Sequence, residues 1–277
     1  MSRATLGPLT VNRFGFGAMQ LPGPGVFGPP RDHDAAIAVL RRAVELGVDH
    51  IDTAQFYGPD VSNELIREAL HPYPDGLVLV SKVGARRDDS KAWLRYDQPA
   101  ELRTGIEDNL RSLGVEQLGA VNLRVMDQLL DSQLDAMAQA RADGLIVGIG
   151  LSNVTVDQLR HALDITEIAC VQNPLNLVDC TSMPVLEECA RRGIAFVPFF
   201  PLGSGFGVNS VRDDPRVTAT ATRLDVTPSQ IALAWLLALS PATLLIPGTS
   251  SVEHLEQNLA AADVVLDDQA RRDLDLP

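Results

Sequence analysis

The chain has 277 residues, of which 45% are hydrophobic, and its 36 acidic against 23 basic residues leave a net charge of −13. That balance, with no basic stripe, excludes a nucleic-acid or anionic-membrane partner, since either would be repelled at long range. Three cysteines, Cys170, Cys180 and Cys189, are too few and too irregular for a disulfide framework or a metal site and read as buried, reduced thiols.

In chain order, Met1 to Gly17 lacks the charged-then-apolar layout of a secretory signal, which makes a cytoplasmic protein the expectation. Leu9-Thr10-Val11 suits a small hairpin at the floor of a barrel. Eight short apolar runs then read as strands: Phe14–Met19, His50–Thr53, Leu77–Lys82, Ala120–Arg124, Val147–Leu151, Cys170–Asn173, Ala195–Phe199 and Leu244–Pro247. Amphipathic helical stretches separate them. Asp34 opens one that carries Ile37, Leu40 and Val44 on one face and stops at Gly47. Another runs from Glu101 to Leu113 and ends at Gly114. Thr227-Pro228-Ser229-Gln230 combines an N-cap, a first-turn proline and a capping glutamine, and Ser250 with Glu253 opens a last helix to about Ala261. Ile231 to Gly248 is 18 residues without a charge, long enough to raise a membrane-spanning reading. Ser240-Pro241-Ala242-Thr243 divides it into a buried helix and a short strand.

Strands apolar on both faces, each followed by a helix, imply a parallel sheet with helical crossovers. The count predicts an α/β fold of the (β/α)8 TIM-barrel type, a single domain over residues 1–277. No Gly-x-Gly-x-x-Gly follows the first strand, which argues against an open dinucleotide-binding sheet.

Barrel active sites lie at the C-terminal ends of the strands, and here those ends are polar. Strand two ends in Asp52, with Tyr57 five residues on. Strand three ends in Lys82, one of two lysines among 23 basic residues. Strand four ends in Asn122 and Arg124, strand five in Ser152 and Asn153, and strand six in Gln172 and Asn173. Each has a structural alternative: Asp52 as a loop anchor, Tyr57 as a cover for the core, Lys82 reaching out to water, and the amides satisfying loop backbone. Together they suggest chemistry. An ammonium beside a phenol favours phenolate and lowers the tyrosine pKa, and a carboxylate beside the lysine keeps it charged, which makes a general acid–base.

Val48-Asp49-His50-Ile51-Asp52-Thr53-Ala54-Gln55-Phe56-Tyr57-Gly58 resembles the signature of the aldo-keto reductases. The likeness continues through Val80-Ser81-Lys82-Val83-Gly84, Asn109 to Val115, Gly148 to Asn153, Pro201-Leu202-Gly203, Ile246 to Ser251 and Asn258. It implies carbonyl reduction with NADPH, NADH not being excluded, and no metal. Tyr57 would protonate the carbonyl oxygen, tuned by Lys82 and Asp52. Ser152, Asn153 and Gln172 would hold the nicotinamide carboxamide, with Phe199 stacked on the ring. Gly17 belongs to the same cofactor set. Phe200, Leu202 and Ser204 match a segment that contacts the pyrophosphate. Gly248, Thr249, Ser250 and His254 would surround the 2′-phosphate, a role that a helix N-terminus suits on physical grounds alone, with Gln257 and Asn258 near the adenine.

Two positions depart from the family pattern. Gly248 and His254 stand where many members carry a lysine and an arginine; Arg141 or Arg191 are candidates to compensate. Arg124 stands where most members carry a catalytic histidine. It either pairs with Asp52 or another carboxylate, or recognises an electron-rich group on the substrate. The Asn-Leu-Arg form resembles a branch containing bacterial pyridoxal reductases, so pyridoxal is the expected small-molecule substrate, with its phenolate at Arg124. A broad aldehyde or ketone reductase and a slow NADPH-binding redox-sensor subunit are the competing readings. Trp93 and Phe206 are candidate pocket aromatics in the loops Arg86–Tyr96 and Phe206–Asp214. A monomer or weak homo-oligomer is expected.

Overall fold

Two short strands open the chain, β1 (Arg3–Leu6) and β2 (Leu9–Asn12), paired antiparallel in the computed structural model, which describes residues 2–203 and 210–276. Leu6 and Val11 of this hairpin are buried against Val80, Ala120, Cys170, Ala195, Val197 and Leu244 inside the barrel, so it closes the floor as the sequence suggested. Ser204 and Phe206 lie outside the described residues.

The barrel wall begins with β3 (Phe16–Gly17), followed by α1 (His33–Glu45), β4 (His50–Asp52) and α2 (Val61–Leu70). Next come β5 (Val78–Arg87), the antiparallel β6 (Trp93–Tyr96) on its far end, α3 (Pro99–Leu113) and β7 (Leu118–Arg124). The alternation continues with α4 (Asp131–Ala142), β8 (Ile146–Ser152), α5 (Val156–Ile165), β9 (Cys170–Pro174), α6 (Met183–Arg192) and β10 (Ala195–Phe199). Among the described residues, the chain continues after β10 with the α-helices α7 (Pro215–Leu224), α8 (Pro228–Leu239), α9 (Val252–Ala260) and α10 (Asp268–Asp273). The wall strands are parallel in the order β3-β4-β5-β7-β8-β9-β10. Helices cover their outer face, and a continuous apolar layer including Phe14, Phe196, Ile51, Val121, Ile149 and Val171 lies between.

The eighth wall strand is present only as single bridges. Thr243 bridges Phe196 on one side and Leu245 bridges Phe14 on the other, both parallel, with Gly15 N–H donating to Leu245 O at 2.8 Å and Leu244 N–H to Phe196 O at 2.9 Å. Pro241 and Pro247 flank the segment and have no N–H to give a ladder, so pairing cannot extend either way. The first wall strand is shortened too, because Ala18–Gln20 turns into a 3-10 helix. There the two ends of the wall nearly touch: a Cβ on Gly17 would sit 2.4 Å from Ile246 O, and one on Gly248 would sit 2.4 Å from Gly17 O.

β5 is longer than its sequence suggests. The sequence reading ends this strand at Lys82 and starts a loop at Arg86, yet Gly84 to Arg87 continue the strand and pair with β6, Arg87 opposite Trp93. The helix caps shift slightly from expectation: Asp32 rather than Asp34 caps α1, accepting from Ala35 N–H at 2.9 Å, and Ser251 rather than Ser250 caps α9. The Thr227–Gln230 capping box forms as expected. The stretch Ile231 to Gly248 is divided between α8 and the bridging segment, and among the described residues no helix is long and apolar enough to cross a membrane.

Candidate active site

Asp52 is the last residue of β4 and pairs in register with Val80, which puts Lys82 one inward position further along the neighbouring strand. The Lys82 ammonium is buried, donates to Asp52 Oδ1 and also donates to Thr53 O at 3.1 Å. The second carboxylate oxygen of Asp52 accepts from Gln172 Nε2 at 2.6 Å. Tyr57 is carried by the turn after β4, its N–H donating to Ala54 O, and its ring centre lies 5.1 Å from Lys82 Nζ. Burial penalises the Lys82 charge, but Asp52 and Tyr57 outweigh it and hold the ammonium above its ordinary pKa.

The phenol does not follow the expectation of a lowered pKa. Tyr57 is only 5% exposed, and burial pushes its pKa up, against the charge and hydrogen bond of Lys82 and the charge of Arg124. Burial prevails, so the group is held protonated. A general acid must carry its proton before the reaction, and the arrangement provides that form. The nearby cations then favour the phenolate once the proton has left.

A buried amide network behind the cluster was not read from the sequence. Thr53 Oγ1 donates to Asn63 Oδ1 at 2.8 Å, Asn63 Nδ2 donates to Asn109 Oδ1 and Ser112 Oγ at 2.9 Å each, and Ser81 Oγ also donates to Asn109. It ties α2, α3 and β5 to the residue whose carbonyl receives the second Lys82 bond. The available signal was an asparagine on the buried face of each helix, where an amide must find partners.

Arg124 ends β7 and does not pair with Asp52, whose oxygens are already taken. Its guanidinium lies 4.9 Å from the Trp93 ring centre, and Arg87 lies 4.3 Å from the same ring. Arg124 makes no ion pair among the described residues, and its Nε is buried without a hydrogen-bond partner. Burial pulls its pKa below the ordinary value, with Tyr57 acting in the opposite direction. Trp93 also meets Phe56 edge-on at 5.5 Å, and Phe56 meets Tyr57 in the same way. Met19, Val26, Ala85 and Met126 complete this apolar group. Asn122 lies apart from it. It is fully buried inside the barrel, where it donates to Ser81 O at 3.4 Å and accepts from Cys170 Sγ at 3.3 Å.

The expected cofactor residues fall into two groups. Ser152, which ends β8, and Gln172 of β9 are neighbours in register, with Asn153 next in the left-handed region at φ 62°. Gln172 is turned to Asp52, and its Oε1 is buried without a partner. Asn173 bonds both backbone groups of Val154, the structural alternative for that residue. Phe199 ends β10 and meets Phe200 edge-on at 5.0 Å. Leu202, Gly248, Thr249, Ser250, His254, Gln257 and Asn258 gather around one cavity of about 400 Å³ that also takes in Gln20, Ser210 and Arg212. Its donors are the start of α9, hydroxyls and a guanidinium, a set that fits a phosphate-bearing nucleotide. Arg212 is the cation that the sequence reading lacked. Arg141 and Arg191 are engaged elsewhere, with Glu167 and Glu188. The Gly248 departure also has a steric cause, since Gly17 O leaves no room there for a side chain.

A barrel of this topology that gathers a buried aspartate, tyrosine and lysine on two neighbouring strands and the turn between them defines a class, and the chain belongs to the aldo/keto reductase family, whose profile matches residues 13–275. It is an oxidoreductase of that family. It is 50% identical to the pyridoxine 4-dehydrogenase of Escherichia coli (strain K12) over 98% of this chain and 96% of that protein. Among solved structures it resembles the thermostable aldo-keto reductase Tm1743 in complex with epalrestat, with a TM-score of 0.85 at 28% identity over 99% of each chain. It also resembles an aldo/keto reductase from Klebsiella pneumoniae in complex with NADP and acetate, with a TM-score of 0.81 at 26% identity over 96% of this chain and 91% of that one.

Proposed function

We propose that the chain is an NADPH-dependent reductase that converts pyridoxal to pyridoxine in one barrel domain, with Tyr57 as the general acid. The observation that carries the chemistry is the buried Lys82 ammonium between Asp52 and Tyr57. The likeness to pyridoxine 4-dehydrogenase supports the substrate, and the Klebsiella structure supports the nucleotide. Thr249, Ser250, His254 and Arg212 would hold its phosphate end, with Gln257 and Asn258 beside the adenine and Phe199 near the ring. Bound NADPH supplies the hydride.

The chain supplies the proton. The Tyr57 hydroxyl hydrogen-bonds the aldehyde oxygen and passes its proton to it as negative charge develops there. Lys82 stabilises the phenolate that remains, and Asp52 with Gln172 holds the ammonium in place. A complete, buried acid cluster supports turnover over a purely sensing role.

The test is NADPH oxidation with pyridoxal, comparing the wild type with Tyr57→Phe. The phenylalanine variant is expected to lose on the order of 10²–10⁴-fold in kcat and to keep its NADPH affinity, measured by fluorescence titration. Retention of more than about a tenth of kcat would remove Tyr57 from the role.

A further inference from the structure

We propose that Trp93 is a positioning residue that keeps the Arg124 guanidinium unpaired for an anionic oxygen on the substrate, so that the site selects aromatic aldehydes bearing that oxygen on the adjacent ring carbon. The inference rests on the carbonyl-reductase reading above and deepens it to a substrate class.

Arg124 is half-buried with its Nε shielded from water, and a guanidinium so placed is ordinarily met by a carboxylate, because an unpaired charge in a partly desolvated site is costly. Arg124 has no such partner among the described residues. Asp52, the carboxylate of the catalytic cluster, is committed to Lys82 and Gln172, and Asp97 and Asp127, on the segments that follow β6 and β7, pair with Arg95 at 2.9 and 3.6 Å. What Arg124 has is the Trp93 ring, 4.9 Å from its guanidinium carbon. The face of an indole attracts a cation without occupying its N–H donors. A carboxylate partner would consume those donors and cancel the charge, whereas the ring leaves both for a ligand.

Trp93 is itself fixed. It stands opposite Arg87 in the β5–β6 pairing, and the Arg87 guanidinium lies 4.3 Å from its ring centre. Arg87 in turn donates to Val26 O and Gly25 O at 3.2 Å and to Lys91 O at 2.9 Å, so it is held by carbonyls and not by an acid. The chain of contacts runs from the loop at Gly25 through Arg87 and Trp93 to Arg124, and Phe56, edge-on at 5.5 Å to both Trp93 and Tyr57, joins that chain to the phenol. In this proposal a substrate whose carbonyl oxygen is on Tyr57 presents the oxygen on its adjacent ring carbon to Arg124. Trp93 and Met126, both only partly buried, give this cluster an apolar surface that suits a flat ring.

The experiment uses two aldehydes that differ only in the oxygen, 3-hydroxypyridine-4-carbaldehyde and pyridine-4-carbaldehyde, with wild type, Trp93→Leu and Trp93→Phe. The wild type is expected to prefer the hydroxy compound by at least about tenfold in kcat/KM, and Trp93→Leu to lose about tenfold of that preference through KM. Trp93→Phe, which keeps a ring face, should restore most of it. Below the pKa of the hydroxyl the wild-type preference should shrink, because the oxygen is then neutral. Equal efficiency for the two aldehydes in the wild type overturns the inference and leaves carbonyl reduction standing. So does a Trp93→Leu variant that loses both substrates equally, the mark of a merely structural role. Dissociation constants for the same pair in the presence of NADP+, where no hydride is available, give the same ratio independently of turnover. If no carbonyl is reduced at all, the reductase reading fails, and these constants still decide the inference.

Discussion

At the scale of single residues, Lys82 is the position where chemistry and composition meet. The chain uses arginine for nearly all its positive charge, yet holds an ammonium beside Asp52 and Tyr57. A guanidinium is planar, larger and spreads its charge, so it cannot sit within the same short reach of a carboxylate, the Thr53 carbonyl and a phenol. Lys82→Arg is expected to fold, as judged by an unchanged far-ultraviolet circular dichroism spectrum, while kcat falls about 10²-fold from misplacement of the charge. Near-full activity would show that any cation suffices. The pH profile gives a second reading. In the proposed role Tyr57 acts in its protonated form, and burial raises its pKa, so reduction should hold through neutral pH and fall only as pH rises above the ordinary phenol range. The Lys82 charge opposes that rise, so in Lys82→Met the falling limb should move to still higher pH on a reduced kcat. The identities of Asp52, Tyr57 and Lys82 were legible because their types and places at strand ends are in the sequence. The direction of the tyrosine shift was not, because it depends on how much water the fold removes, and Phe56, Val26 and Trp93 come from three separate segments.

At the scale of elements, one acid on α6 gathers three arginines, and one of them, Arg160, joins α6 to α5. Glu188 on α6 accepts from Arg160 of α5 at 3.1 Å, from Arg192 at 2.7 Å and from Arg191. These partners hold its carboxyl well below the usual range, at about 2. A carboxylate whose pKa is depressed in the folded state stabilises it above the unfolded value and loses that contribution as pH falls toward the folded one. Glu188→Gln should therefore lower Tm at pH 7, with the gap to wild type closing as pH is taken from about 5 toward 2 in thermal melts. A gap that stays constant with pH would mean that packing, not charge, links the helices. Element types were legible along most of the chain through apolar periodicity and caps such as Thr227 with Gln230. The β5–β6 hairpin was not, because Arg86 and Arg87 gain their strand pairing only from Leu94 and Trp93 and carry no apolar alternation. Its absence from the sequence reading hid the Trp93–Arg124 contact, since that contact exists only once Arg87 and Trp93 are paired.

For the whole molecule, the question is how a barrel closes when its eighth strand contributes only single bridges to each neighbour. Arg13 supplies much of the answer. It precedes β3, and its guanidinium donates to Thr243 O at 3.0 Å, to Leu237 O at 2.7 Å and to Ser240 O. Leu237 and Ser240 lie at the C-terminal end of α8, whose carbonyls lack helical partners and carry the negative end of its dipole, so one cation satisfies both that end and the eighth strand. The backbone adds Leu245 N–H to Arg13 O at 2.8 Å. The same segment leads directly into Gly248, Thr249 and Ser250 at the cavity beside α9. Closure of the barrel and placement of that cavity are therefore one structural event. Arg13→Leu leaves the carbonyls of Leu237, Ser240 and Thr243 without this donor and should cost about 1.5–3 kcal/mol in denaturant unfolding. If the seam is a locally weak unit, amide exchange at Gly15 and Leu245 should accelerate more than that of the β7–β8 core, and NADPH should bind more weakly although Arg13 is not among the residues lining the cavity. Uniform acceleration across the barrel, with nucleotide affinity unchanged, would show instead that the seam opens only with the whole fold and that the cavity is held by α9 alone.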